Sequence, residues 1–139
     1  MELNEGYRWL SRPRAVDSKI RRLESKIEEL RTCLEPNAIR YDVDKVNTSP
    51  DDMTSRIFAE IDEAERMCHE LRLEKATYIF EINKAIENIK NESAKDVLNG
   101  FYIAKKKMPD IAKELNYELS WCYRLRRVGI EEIDDGLLV

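Results

Sequence analysis

Between Lys105 and Arg127 the sequence sets seven basic side chains (Lys105, Lys106, Lys107, Lys113, Arg124, Arg126 and Arg127) against three acidic ones (Asp110, Glu114 and Glu118). The whole chain is nevertheless acidic, with a formal net charge of -4. A local positive excess inside a negative chain rules out a surface that coats nucleic acid throughout and leaves a local anion-binding site. Residue type divides the chemistry of that site. An arginine fork can bond a guanine edge with two hydrogen bonds, whereas a run such as Lys105 to Lys107 suits phosphate oxygens.

The same stretch carries an ordered apolar pattern. Ile111 and Leu115 share one face of a short helix, and Ala112 is the small residue needed where two helices cross closely. Asn116 falls where the chain must turn through a left-handed conformation, which Gly or, next best, Asn tolerates. Tyr117 then points inward, and Cys122, Leu125, Gly129, Ile130 and Ile133 form the buried stripe of a second helix. Gly129 costs that helix about 1 kcal/mol against Ala and so marks a close helix contact. With the stripe turned inward, Ser120, Arg124 and Arg127 point out, flanked by Trp121 and Tyr123. These five are the expected groove-facing residues of a helix-turn-helix. Lys105, Lys106 and Lys107, just before its first helix, are the expected phosphate contacts.

Other chemistries lack their residues. His69 is the only histidine. On a helix it points about 100° away from its neighbour Cys68, and nowhere do His, Cys and carboxylates take metal-ligand spacing. Cys33, Cys68 and Cys122 are odd in number and far apart, which predicts reduced thiols used as small hydrophobes. Glu28 with Glu29, and Glu131, Glu132, Asp134 and Asp135, read as solvated helix surface. There is no Gly-rich phosphate loop and no nucleophile, base and acid in one pattern. An enzyme is not expected, nor a metal or cofactor.

The elements that must hold the basic segment are helical. Four glycines and four prolines in 139 residues, with 37% charged and 42% apolar residues, give the composition of long helices and coiled coils. Val16, Ile20, Leu23, Ile27, Leu30 and Leu34 recur at alternating spacings of four and three, a coiled-coil seam that Glu35-Pro36-Asn37 ends. The stretch from Asn37 to Thr48 reads as a connector with a short extended piece around Ile39 to Val46. Ser49-Pro50-Asp51-Asp52 then announces a helix to Lys90, with Ser49 as cap, Pro50 in the first turn and two aspartates at the positive end of the dipole.

Along that helix Ile57, Ile61, Ala64, Cys68 and Leu71 make a seam that can face the first in an antiparallel hairpin. Near Lys75 to Thr77 the stripe shifts to Ile79, Ile82, Ile86 and Ile89. The second half therefore needs another partner, expected in the last fifty residues. No apolar run approaches the roughly 18 residues of a membrane span, and Glu2, Glu5 and Arg8 interrupt any leader-like core, so a cytoplasmic protein with no membrane partner is expected.

The expected architecture is all-α: an N-terminal segment (1–12), an antiparallel coiled-coil hairpin (13–74, connector 36–48), a helix-turn-helix domain (75–133) and a tail (134–139). From Val46 to Ile133 the chain resembles a family of small phage and prophage proteins of Gram-positive bacteria related to the ArpU and RinA late-transcription regulators. The resemblance is carried by Lys45 to Asp52, Val97-Leu98, Phe101-Tyr102, Asp110 to Tyr117 and Tyr123-Arg124. The C-terminal part is similar to the promoter-reading fourth region of bacterial sigma factors. Two positions depart from the family pattern: Glu118 stands where Ser usually caps the recognition helix, and Asn116 where the turn usually has Gly.

The resemblance implies a DNA-binding regulator of phage transcription in the bacterial host cytoplasm. Double-stranded DNA is the implied partner, RNA polymerase a further candidate, and the coiled coil a candidate for homo-oligomer formation. The alternative is a structural or adaptor protein whose coiled-coil hairpin is the functional part and whose helix-turn-helix is vestigial.

Overall fold

The structure is a computed structural model that describes residues 3–35 and 50–137. It is all-α, with helices α1 (Leu3–Leu10), α2 (Arg12–Cys33), α3 (Pro50–Glu87), α4 (Glu92–Leu98), α5 (Met108–Leu115) and α6 (Leu119–Leu137). A π-helical turn (Asn99–Ile103) follows α4 directly, and no strand occurs among the described residues. The chain divides into two compact units, residues 15–75 and residues 1–14 with 76–139. The expected connector 36–48, its extended piece around Ile39 to Val46, and Ser49 lie outside the described residues.

In the unit of residues 15–75 the two heptad seams meet. Ile27, Ile61, Ala64 and Cys68 form a buried cluster, with Leu23, Leu30, Leu34 and Ile57 packed around it. Ion pairs that ascend along α2 descend along α3: Asp17 to Lys75 at 2.7 Å, Glu24 to Arg72 at 2.8 Å, then Arg31 to Glu65. The two helices therefore run antiparallel. The seam supplies the stability, since the exposed pairs, Glu24 with Arg72 and Arg31 with Glu65, contribute only about 0.2 to 1 kcal/mol each. Cys33 departs from expectation: it lies beside the seam positions Leu30 and Leu34 and is exposed, whereas Cys68 and Cys122 are buried thiols.

In the other unit, the shifted stripe of α3 finds its partners. The helix ends at Glu87, three residues before the expected Lys90. Ile82 and Ile86 of α3, with Ile89 in the turn that follows, share a core with Ala94, Val97 and Leu98 of α4, Ile111 and Ala112 of α5, and Cys122, Leu125, Ile130 and Ile133 of α6. Asn91 caps α4 by accepting the Ala94 N–H at 3.1 Å. A Cβ added to Gly129 would lie 2.5 Å from Cδ1 of Leu98, so α4 and α6 touch as closely as that glycine allows. The π turn inserts one extra residue into its helical turn, with the Ala104 N–H donating to the Asn99 carbonyl at 2.9 Å.

Leu10 belongs to this same core, with Tyr7 and Trp9 packed against it. This corrects the reading of residues 1–12 as a segment apart, and of the last fifty residues as the sole partner of the second half of α3. Leu3, Tyr7 and Leu10 recur at spacings of four and three, but over barely two turns, too short a run to mark a seam in the sequence. Arg12 secures the junction of α1 and α2: it donates to the Trp9 carbonyl at 2.9 Å, pairs with Glu81 at 2.8 Å, and stacks on Trp9 and Tyr78. The expected tail from residue 134 is corrected too, because α6 continues to Leu137 and Asp134 is buried within it.

Because Ile61 is buried at the centre of the antiparallel seam, Ile61→Ala should destabilise the protein by about 2 to 5 kcal/mol. Chemical denaturation measures this. A loss below about 0.5 kcal/mol, within the range of ordinary surface substitutions, would show that the seam is not a packed core.

Candidate nucleic-acid interface

The turn between α5 and α6 is set by Asn116, which adopts the left-handed conformation at φ 59° and ψ 39°. Its amide N–H donates to the carbonyls of Ala112 and Lys113, and the Tyr117 N–H donates to the Ala112 carbonyl at 2.9 Å, closing the end of α5. Tyr117 is half-buried, its hydroxyl 3.1 Å from that of Ser93. Glu118 occupies the cap position of α6, since its carbonyl accepts the Cys122 N–H at 3.1 Å. Its carboxylate is exposed and makes no hydrogen bond to another described residue. The Glu118 side chain therefore leaves the free amides of the helix start uncapped.

Cys122, Leu125, Gly129, Ile130 and Ile133 are buried, which fixes the rotation of α6. Burial pushes the Cys122 thiol above its usual range, so it stays protonated and packs as an apolar group. The opposite face of α6 carries Ser120, Arg124 and Arg127, all exposed, with Trp121 46% and Tyr123 45% exposed on its flanks. These residues share one helix surface. Arg124 has no ion pair with another described residue, whereas Arg127 reaches Glu131 at 3.3 Å along its own helix.

The three lysines lie on the approach to α5. Lys105 is exposed and left-handed at φ 57°, and Lys106 pairs with Glu114 at 2.8 Å. Lys107 stands in the cap position of α5, exposed, with no side-chain cap bond.

Two arginines that sequence reasoning left out of the site lie close by. Arg126 is half-buried, with its guanidinium carbon 5.0 Å from the Tyr7 ring centroid, 5.3 Å from Phe101 and 5.2 Å from Tyr123. Arg14 stands over the other occupied ring, 4.4 Å from Phe101. The spacing of three between Tyr123 and Arg126 was available in the sequence and places both on one side of the helix. The docking of Tyr7 was not, because it depends on α1 folding back onto α6.

His69 is exposed on α3 beside the buried Cys68, and no group of three His, Cys, Asp or Glu residues among those described could hold a metal ion. No helix among the described residues is long and apolar enough to cross a membrane.

The family described as a protein of unknown function, DUF1492, matches residues 40–134 of the chain. The chain belongs to the DUF1492 family. No curated protein and no solved structure matches it. The span shared with DUF1492 includes α3, α4, the π turn, α5, the Asn116 turn and all of α6 up to Asp134, while α1 and α2 lie before it. Within this DUF1492 chain the exposed face of α6 is therefore family sequence, and Tyr7 and Arg14 are additions from outside the match.

One acidic group is buried where α1 crosses the end of α6. Asp134 is 5% exposed, its Oδ1 has no hydrogen-bond partner, and a Cβ on Gly6 would fall 2.7 Å from that oxygen. Burial pushes the Asp134 carboxyl above its ordinary 3.8; the positive amino terminus pulls it back in part, and the charges of Asp135, Glu5 and Glu131 push it up. With the folded value above the unfolded one, folding favours the protonated form. The contribution to stability is full below about pH 3.8 and is lost as pH rises through the folded value. Asp134→Asn should therefore raise the melting temperature at pH 7 and lose that advantage in acid. Thermal melts of both proteins across this range test it, and an unchanged difference at all pH values would contradict the assignment.

Proposed function

We propose that this chain is a DNA-binding regulator of phage or prophage transcription, with α5 and α6 acting as a helix-turn-helix and α6 as the helix that enters the major groove. The observation that carries this reading is Arg124. It is exposed in the second turn of α6, opposite the buried Cys122 and Leu125, and unpaired with any described acid. An arginine so placed is free to bond a guanine edge. The left-handed Asn116 and the positive excess between Lys105 and Arg127 support the same reading.

So does the resemblance to ArpU and RinA regulators and to the sigma fourth region, which makes RNA polymerase a candidate second partner. The bacterial host cytoplasm is the proposed location. Ser120, Trp121, Tyr123 and Arg127 would join Arg124 at the groove, Lys105 to Lys107 would meet phosphates, and no catalytic role is assigned.

A second reading has specific support. Glu118 places a carboxylate at the start of α6, and Lys106 and Arg127 are each engaged by a glutamate. These features suit an adaptor whose antiparallel helices hold a protein partner or a second copy of the chain.

Binding to duplex DNA should weaken steeply with salt, with a logarithmic slope of about -0.9 per phosphate neutralised. Arg124→Ala should cost about 1 to 3 kcal/mol on a preferred site and much less on unrelated DNA, whereas Lys106→Ala should weaken both alike. Glu118→Ser should tighten binding to every sequence, by removing a repulsion and supplying a cap. Fluorescence anisotropy on site selected from random duplexes reads all three. A specificity ratio unmoved by Arg124→Ala, with no response to Glu118→Ser, would take α6 out of the groove.

A further inference from the structure

Three arginines in the unit built by residues 1–14 and 76–139 are held against aromatic rings, and two of them, Arg12 and Arg126, differ in one respect. Arg12, stacked on Trp9 and Tyr78, spends its donors on the Trp9 carbonyl and the Glu81 carboxylate. Arg126, held by Tyr7, Phe101 and Tyr123, makes no hydrogen bond or ion pair with any described residue, and its buried Nε lacks a partner. Ring stacking satisfies the face of a guanidinium and leaves its edge. The donors lie in the plane of the group and need acceptors there.

An unsatisfied buried donor on a permanently charged group is costly and rare in native proteins, and a bound ion is one of the ways such a group is accommodated. Arg14 lies over the same Phe101 ring, so two cations flank one aromatic side chain. Phe101 in turn meets Tyr102 edge to face, with ring centroids 4.9 Å apart. Burial raises the Tyr102 hydroxyl above its usual range, while the charges of Arg126 and Arg14 pull it back. Two guanidinium groups gathered at one ring attract an anion to this cluster.

Its position says which anion. Tyr123 lies three residues before Arg126 on α6 and also flanks the exposed Ser120, Arg124 and Arg127 face. A duplex seated on that face brings a strand of phosphates along the Tyr123 side of the helix. We propose that Arg126, braced by Tyr7, Phe101 and Tyr123 and assisted by Arg14, is a phosphodiester clamp for the DNA backbone beside α6. The proposal rests on the reading of α6 as a groove helix. It also gives α1, which lies outside the family match, a direct part in binding, because Tyr7 is one wall of the clamp.

The experiment uses the full chain and a labelled duplex of random sequence. Arg126→Gln should reduce the magnitude of the salt slope by about 0.9, so that between about 50 and about 200 mM salt the wild type loses roughly threefold more affinity than the variant. Arg126→Lys should recover less than half of the lost affinity, because an ammonium lacks the planar fork. The melting temperature separates clamp from glue: the clamp predicts a changed slope with the melt kept or raised, since the variant removes a half-buried unpaired cation. A lowered melt with an unchanged slope overturns the proposal and leaves Arg126 as packing for α1.

If Arg126→Gln does not fold, the wild-type protein decides by NMR. The Arg126 Nε–H resonance should move on adding duplex, and a resonance that stays fixed, or that moves with inorganic phosphate alone, overturns the clamp. Failure of the clamp is distinguishable from failure of the groove reading. Arg124→Ala and Glu118→Ser responding as expected while Arg126→Gln leaves the slope intact removes only the clamp, whereas wild type that binds no duplex at low salt removes both.

Discussion

The setting of α6 depends on its contact with α4, where Leu98 fills the space that a side chain at position 129 would need. A Cβ there would overlap Leu98 Cδ1, and the Ala94 methyl stands next to it. In a close-packed interior this leaves little freedom of rotation for either helix. Cys122 and Leu125 are thereby turned inward, and Ser120, Arg124 and Arg127 outward. Glycine is a poor helix former, so the contact is made at the expense of local helix preference and offset by the apolar surface that it brings together.

The positive segment works against the rest of the chain. Some of its charge is already matched, Lys106 by Glu114 and Arg127 by Glu131, and these exposed pairs are cheap to open because water screens them. Neither Arg124 nor Arg126 makes a hydrogen bond or ion pair with a described residue, and the two differ in setting, one exposed and the other half-buried among rings. On the proposed DNA-binding reading, solvated charge suits reading, since it can move to a base edge. Charge fixed by aromatic walls serves positioning, since less side-chain freedom is lost when an anion binds.

α1 has polar as well as apolar consequences. It contributes Leu10 to the core, a ring to Arg126, and a cover over Asp134. Covering a carboxylate while leaving its Oδ1 without a partner among the described residues opposes folding at neutral pH, so the apolar contacts of Tyr7, Trp9 and Leu10 must outweigh that cost for the helix to dock. Such a helix is held by a small surplus of opposing terms.

The helical class, both heptad seams, the shift of stripe near Lys75, the left-handed turn at Asn116 and the outward face of α6 were all legible in the sequence. Each rests on local geometry, either a period of 3.5 to 3.6 residues or one residue's backbone preference, and neighbours in sequence carry that information. The helicity of residues 3–10 and their place in the core, the continuation of α6 past Ile133, the burial of Asp134, and the π turn that carries Phe101 and Tyr102 were decided by tertiary structure. So was the gathering of Tyr7, Arg14, Phe101, Tyr123 and Arg126. These features join positions up to more than a hundred residues apart, and no period links Tyr7 to Arg126. Only the filling of a shared core brings α1 onto α6, and with it the ring that leaves one arginine stacked, half-buried and without a hydrogen-bond partner among the described residues.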